Sequence, residues 1–480
     1  MLQALSLCSA TSELLTGNLY AVPLIFVATC PERSKAVYLV FSFWGNAMKV
    51  VLVVPPMPYS LSDAPDLQFP PLALCYLGAV VRECEHDVTL IDMTVSEMTI
   101  DDLRSRLVKI QPDVVGISCL SASYPKGTMI AALAKQVLPE PTVIMGGMHP
   151  TFTDRETIER YPVDIVVRNE GEITIRELLA QLGTGADGLG RVPGITYKDP
   201  DNIVRRNPDR DFINALDELP QPAYDLLDTM PTYRKLDVFL VITTRGCPYH
   251  CIFCSSSPFW GHHWRTRSIS HVMKEIDLLV STYGAKQIVF GDDNFALNKK
   301  RILDLCDALS GRGYDIDWRC SVRADSLTKP LLMAMRKSGC SAVFIGVESG
   351  SQASLDLLQK RESVEQSVRA VKWCREVGIE TTCAMLMGLP WETEEDIRNN
   401  IRFVSSELKP DEVVWNLLHP DPGSEIFERM EKHGLRFAIR DPERHIGNAP
   451  SVIETANLSA EQLNQLWMEA CLKSGVGEEL

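Results

Sequence analysis

The densest group of chemically able side chains in this sequence is Cys247-Pro-Tyr-His-Cys251-Ile-Phe-Cys254, three thiols spaced four and three residues apart. Thiolates are soft ligands that hold zinc or iron–sulfur clusters. A closed structural zinc site needs a fourth ligand, which His250 or His262 could supply. A cluster held by three cysteines would instead keep one iron open to a small molecule. The other cysteines are scattered, many inside apolar runs such as VVGISCL around Cys119 and TTCAMLMG around Cys383. They read as buried thiols of a reducing cytosol, and so do Cys75 and Cys374 in apolar helical text.

Polar and glycine residues recur downstream at the ends of apolar runs: Arg245-Gly246-Cys247, Gly291-Asp292-Asp293, Arg323-Ala324-Asp325, Glu348, Gly388 and His419. The runs they close are FLVITTRG, QIVFGDD, DWRCSVRAD, AVFIGVES, ETTCAMLMG and EVVWNLLHP, with helical text between them, for example Ser270–Tyr283, Lys300–Leu309 and Glu394–Ser406. Six such units predict a partial (β/α)6 TIM-like barrel with its chemistry on the loops at the carboxyl ends of the strands. Plain structural roles stand beside the functional ones: Asp292, Asp293 and Glu348 as helix N-caps, Gly388 as a turn residue. His262, His263, Trp264, Arg265 and Arg267 follow the cysteine loop and could face a substrate, or start a helix and pack.

Before residue 190 the text alternates in the same way. VVLVVPP, VTLID, VVGIS, TVIMGG and DIVVRN read as buried parallel strands, separated by helices over Leu72–Cys84, Ile100–Ile110, Lys126–Val137, Asp154–Tyr161 and Glu172–Leu182. This predicts a doubly wound, five-stranded Rossmann-like sheet with a ligand at its carboxyl edge. Ser118, Cys119 and Ser121 would put small side chains there, Gly146 and Gly147 would let backbone approach a ligand, and Glu170-Gly171-Glu172 would close the fifth loop. The same glycines could merely turn strand into helix. No GxGxxG follows the first strand, which weighs against a dinucleotide.

The domain reading is an extension outside the fold over 1–47 (a mis-assigned start is one origin, a membrane-associating segment the rival), a sheet domain over 48–189, a hairpin and linker over 190–237, the barrel over 238–420, and a helical segment over 421–480. The two apolar stretches in 1–47 are each shorter than the ~20 residues of a membrane span. A formal charge of −15 with no basic run argues against nucleic acid as a partner and for a small-molecule substrate. The oligomeric state is not legible.

The cysteine spacing resembles the signature of the radical S-adenosylmethionine superfamily. PPLALCYLGAVVRECEHDVTLID, VVGISCLSASY, VIMGGMHPT and VVRNEGEITIRELL, in that order, resemble the cobalamin-binding domains that precede such barrels. The chain thus resembles cobalamin-binding radical S-adenosylmethionine enzymes, a group of methyltransferases and anaerobic porphyrin ester cyclases. The resemblance implies a 4Fe-4S cluster on Cys247, Cys251 and Cys254, with S-adenosylmethionine on the open iron. It implies contacts to that cofactor from Phe253, Gly291, Asp292, Asp293, Arg323, Glu348 and Gly388; the family's Gly-Gly-Glu-like segment reads Gly-Asp-Asp here. It implies cobalamin contacts from Ser118, Cys119, Ser121, Gly146, Gly147, Glu170 and Gly171. One departure stands out: the loop PPMPYSLSDAPDLQFPP holds no histidine, where methyl-carrying cobalamin domains supply one to cobalt. The implied activity is methylation of an unactivated carbon of a small-molecule or lipid/tetrapyrrole-type substrate. One S-adenosylmethionine would serve as methyl source and a second as radical source, with electrons from a flavodoxin- or ferredoxin-like donor. The alternatives are a cobalamin-dependent radical cyclase or oxidase, and a non-catalytic cobalamin sensor or carrier, for which the cysteine triplet has no use. The expected location is cytoplasmic.

Overall fold

The computed structural model describes residues 47–57, 68–96, 98–183, 188–439 and 450–474, with the backbone of an antiparallel pair, 25–28 against 37–40. The expectation for 1–47 otherwise lies outside the described residues, as does most of the histidine-free loop.

The amino-terminal sheet is built from β1 (Lys49–Val54), β2 (Asp87–Asp92), β3 (Val114–Ser118), β4 (Thr142–Gly146) and β5 (Ile165–Val167), all parallel, in the order β2-β1-β3-β4-β5. Apolar residues on both faces explain why these strands read as continuous runs. Val50, Leu52, Val114 and Ile144 face α1 (Leu72–Glu83) and α6 (Glu172–Leu182). Val51, Val53, Val115 and Val143 face α2 (Ile100–Ile110) and α3 (Tyr124–Val137). Two short helices, α4 (Met148–Phe152) and α5 (Asp154–Arg160), join β4 to β5.

The expected hairpin around Asp199–Asn202 forms, as β6 (Ile195–Lys198) and β7 (Val204–Arg206). It is not free of the sheet. β6 pairs antiparallel with β5, so the sheet has seven strands rather than five. The hairpin covers the edge that β5 would otherwise expose. The Pro-rich connector is likewise more than a linker. Tyr224 and Tyr233 are fully buried; their hydroxyls donate to Glu275 at 2.7 Å and to Asp92 at 2.5 Å. Through them the core under α1 and α6 continues unbroken into the core of the second sheet.

After α7 (Met230–Leu236) the chain forms six parallel strands in sequence order: β8 (Val238–Val241), β11 (Gln287–Phe290), β12 (Asp317–Arg323), β13 (Cys340–Glu348), β14 (Glu380–Met387) and β15 (Glu412–Leu417). The intervening β9 (Thr244–Arg245) and β10 (Arg265–Thr266) pair with each other and flank the cysteine loop and α8 (Ser256–Phe259). Outside the barrel run α9 (Ile269–Leu278), α10 (Lys299–Arg312), α11 (Lys329–Lys337), α12 (Gln352–Leu357), α13 (Val364–Val377) and α14 (Glu394–Phe403). Ser459 and Gln462 form the capping box of the last helix, Ala460–Lys473, which packs on β15 through Trp467 and Trp415. Among the described residues no helix is long and apolar enough to cross a membrane.

Candidate active site

Gly246 turns the chain from β9 into the cysteine loop. Its φ is +88°, and a Cβ there would lie 2.1 Å from the His263 carbonyl oxygen, so only glycine fits. Two backbone bonds pin the loop: Ile252 N–H donates to Leu358 C=O at 3.1 Å, and Ile426 N–H donates to Ile252 C=O at 3.0 Å. Cys247, Cys251 and Cys254 are partly exposed, whereas every other described cysteine is buried. Burial pushes the Cys251 thiol up to about 11, with Lys360 and Arg323 pulling the other way. Among the described residues no three His, Cys, Asp or Glu side chains converge on a single-ion site. A cubane asks for a different arrangement, one thiolate on each of three separate irons. His262, a zinc-ligand candidate, stacks on His250 at 4.0 Å, and its Nδ1 lies 3.0 Å from the Tyr249 carbonyl.

The barrel strand ends gather charged groups around this loop. Asp292 is buried and accepts bonds from the N–H and hydroxyl groups of both Thr243 and Thr244. Burial raises its carboxyl to about 6 against those bonds. Its work is to tie the exit of β8 to β11. Asp293 is exposed in the barrel mouth and accepts from Gly246 N–H and the Ser256 hydroxyl. Asn294 is fully buried, and neither end of its amide has a protein partner, an arrangement buried amides rarely show. Arg323 lies 3.7 Å over the Tyr249 ring and donates to Asp325 and the Lys360 carbonyl. Glu348 ends β13 at φ +69°, which costs a non-glycine residue roughly 1–3 kcal/mol. Its carboxylate meets the buried Lys360 ammonium at 3.2 Å. Gly388 turns at φ +82°, held by Glu392, which accepts the N–H groups of Gly388 and Leu389 at 2.9 Å each. Phe253 is half-buried at the edge of the core. Lys360 and Glu392 escaped the sequence reading because neither sits on a strand end; each reaches the site only after its loop folds back.

On the amino-terminal sheet the strand order reverses between β1 and β3, the switch point where such sheets bind ligands. A cavity of about 270 Å³ opens there between the strand ends and helices α1 and α6. Leu52, Leu72, Leu74, Ile144, Val167 and Ile175 make it largely apolar. A space of this size and character suits a flat apolar ring. Ser118, Gly146, Gly147, Glu170 and Gly171 line it, and among the described residues no histidine does. Cys119 and Ser121 are not among the lining residues. Cys119 is buried under α3 (a Cβ at Gly127 would lie 2.3 Å from its Sγ), and the Ser121 hydroxyl bonds Asp421 and lies 3.2 Å from His149 Nδ1. Gly147 has a nearer reason to be glycine than a ligand: at φ +102° its Cβ would lie 2.4 Å from the Cys119 carbonyl oxygen.

The barrel completes this cavity with Ile242, Arg245, Phe259 and Trp260. The Glu170 carboxylate is committed to Arg245 at 2.7 Å, Arg265 at 2.6 Å and Ile213 N–H at 2.8 Å. Arg267 pairs with buried Glu275 at 2.5 Å, so both arginines that could have faced substrate are buried ion-pair partners. Asn169 Nδ2 donates to the Phe259 carbonyl at 2.6 Å. The cysteine loop and the sheet's ligand edge therefore share one seam.

The family model of the radical SAM superfamily matches residues 241–404, and that of the B12 binding domain matches residues 63–179. An uncharacterized methyltransferase of Pyrococcus horikoshii is 35% identical over 428 residues, covering 88% of this chain and 92% of that protein. Anaerobic magnesium-protoporphyrin IX monomethyl ester cyclase of Rubrivivax gelatinosus is 28% identical over 388 residues, covering 78% and 68%. The solved structure of the radical S-adenosylmethionine methyltransferase TsrM from Kitasatospora setae, with cobalamin and a [4Fe-4S] cluster bound, superposes with a TM-score of 0.71 at 18% identity, covering 89% of this chain and 88% of that one. That likeness speaks for the fold.

Proposed function

The chain belongs to the cobalamin-dependent radical S-adenosylmethionine enzymes, and on that premise we propose that it methylates an unactivated carbon of a small-molecule, lipid or tetrapyrrole-type substrate. When bound, the cluster would supply the electron that cleaves S-adenosylmethionine, and in methyl transfer cobalamin would supply the methyl group.

The roles of the chain's own residues follow from their places. Cys247, Cys251 and Cys254 hold the cluster. Asp293, the exposed carboxylate after β11, would hold the polar end of S-adenosylmethionine, with Glu348 and Arg323 across the mouth and the unpartnered Asn294 amide buried behind it. Phe253 and the Gly388 turn would hold the cofactor's adenine. The apolar cavity takes the cobalamin tail, with Ser118, Gly146, Gly147 and Gly171 at its rim. Among the described residues no histidine lines it, and the loop after β1 has none in its sequence, so the cobalt would carry no histidine ligand from this wall.

One observation carries the reading: Arg245, which lines the cavity, precedes Cys247 by two residues. A substrate between the sheets would face both the methyl carrier and the radical source, the arrangement a shared reaction needs. The test is product stoichiometry with methyl-labelled S-adenosylmethionine. Methyl transfer yields S-adenosylhomocysteine and 5′-deoxyadenosine in roughly equal amounts and labels the product. The similarity to a cyclase supports a second reading, ring formation or oxidation. It would release 5′-deoxyadenosine without S-adenosylhomocysteine and leave the product unlabelled.

A further inference from the structure

Four charged side chains are buried together where the sheets meet. Glu170 and Glu172 flank Gly171 at the start of α6, Arg245 ends β9, and Arg265 begins β10. Arg245 reaches Glu170 at 2.7 Å with one nitrogen and Glu172 at 2.6 Å with the other, and Arg265 reaches Glu170 at 2.6 Å. None of the four side chains is more than 9% exposed. The Arg245 guanidinium also lies 5.6 Å from the Tyr76 ring centre and 5.7 Å from that of Trp260. Burial opposes its charge, but the carboxylates of Glu172 and Glu170 outweigh that and hold it protonated.

Stability alone is a poor reason to bury four charges, since each costs several kcal/mol to desolvate and apolar packing serves as well. What the network does achieve is mechanical. Tyr76, Glu170, Glu172, Arg245 and Trp260 all line the apolar cavity. Arg245 also leads through Gly246, where no side chain fits and whose N–H is held by Asp293, directly to Cys247. An occupant of the cavity that orders Glu170 and Glu172 therefore orders Arg245, and with it the root of the cysteine loop.

We propose that Arg245 is a positioning residue that couples the two cofactor sites, so that cobalamin in the cavity and the cluster on the loop each raise the affinity for the other. This rests on the family's cofactors and not on methyl transfer, since a cyclase would need the same coupling. Linkage makes the effect reciprocal.

The experiment titrates hydroxocobalamin, by absorbance, into full-length protein holding the cluster and into the same protein after iron is removed with a chelator. The wild-type dissociation constants should differ by about 5–150-fold, the usual range of coupling between sites. In Arg245→Met the ratio should collapse toward one, with Arg245→Lys in between. A residue that merely supports the fold would weaken binding equally in both states and leave the ratio untouched. A wild-type ratio of one, or an unchanged ratio in Arg245→Met, overturns the proposal. If Arg245→Met does not fold, Glu172→Gln decides, because Glu170 keeps both arginines there. Its ratio must fall below that of wild type, and an unchanged ratio overturns the coupling. Protein that binds no cobalamin in either state overturns the coupling together with the cobalamin assignment, whereas equal binding in both states overturns the coupling alone.

Discussion

The barrel mouth and the cavity on the amino-terminal sheet both sit at the carboxyl ends of parallel strands, yet they are made of different material. The mouth is a set of side chains: three partly exposed thiols, Asp293, Arg323, Glu348 and Lys360. The cavity is mostly apolar wall and bare backbone, with Leu52, Ile144, Gly116, Gly146 and Gly147 around it and its charged residues, Glu170, Glu172 and Arg245, paired with one another. The difference fits what each is proposed to hold. Iron and the charged end of a small cofactor need specific donor atoms. A flat apolar ring needs a shaped apolar wall.

If this contrast is right, damage to the mouth should be all-or-none and damage to the cavity graded. The largest effect is expected from Cys251→Ala, which should remove the cluster and all 5′-deoxyadenosine formation, read by iron content and product analysis of anaerobically reconstituted protein. Cys75→Ala, at a buried thiol in α1, should keep both. Equal loss in the two variants would break the distinction between ligand and packing cysteines.

Next in size is Gly147→Ala. Its Cβ would meet the Cys119 carbonyl oxygen at a φ of +102°, and the strain should cost about 1–3 kcal/mol of stability. Cobalamin affinity should fall with it, while cluster content of protein reconstituted without cobalamin stays at the wild-type level. Urea unfolding and cobalamin titration check the two halves separately, and loss of cluster in cobalamin-free protein would show damage that reaches beyond the cavity.

The contrast also explains what could be read in advance. The cysteine loop was legible because its chemistry is written in residue type and short spacing, and the parallel strands because burial on both faces leaves unbroken apolar runs. Pocket walls carry no such mark: Leu72 or Ile175 looks like any core residue. Glu170 lines the cavity as its place in the fifth loop implies, but its ion pairs leave no local mark, because Arg245 and Arg265 lie 75 and 95 residues away. The connector was read as a linker from its prolines, while its tyrosines plug the shared core. Cys119 was placed at the ligand edge by its position after β3, but the helix that follows covers it.

A smaller effect is expected from Glu392, whose burial raises its carboxyl to about 8 while it holds the Gly388 turn. Between pH 5 and 8 the folded protein keeps a proton there that the unfolded chain has lost. Stability should therefore fall as pH rises through that window, by up to about 1.4 kcal/mol per pH unit. Glu392→Gln keeps an oxygen for the two N–H groups and should flatten the slope. Unfolding midpoints at pH 6 and 8 compare the two proteins, and an unchanged slope would mean that the turn does not depend on a protonated carboxyl.

The most direct test of the account is the electron paramagnetic resonance spectrum of cob(II)alamin bound to the protein. A cavity that takes the ring tail and offers no histidine should give one cobalamin per chain and a cobalt signal without nitrogen coupling. Nitrogen coupling that changes when the protein's histidines carry labelled nitrogen would contradict it.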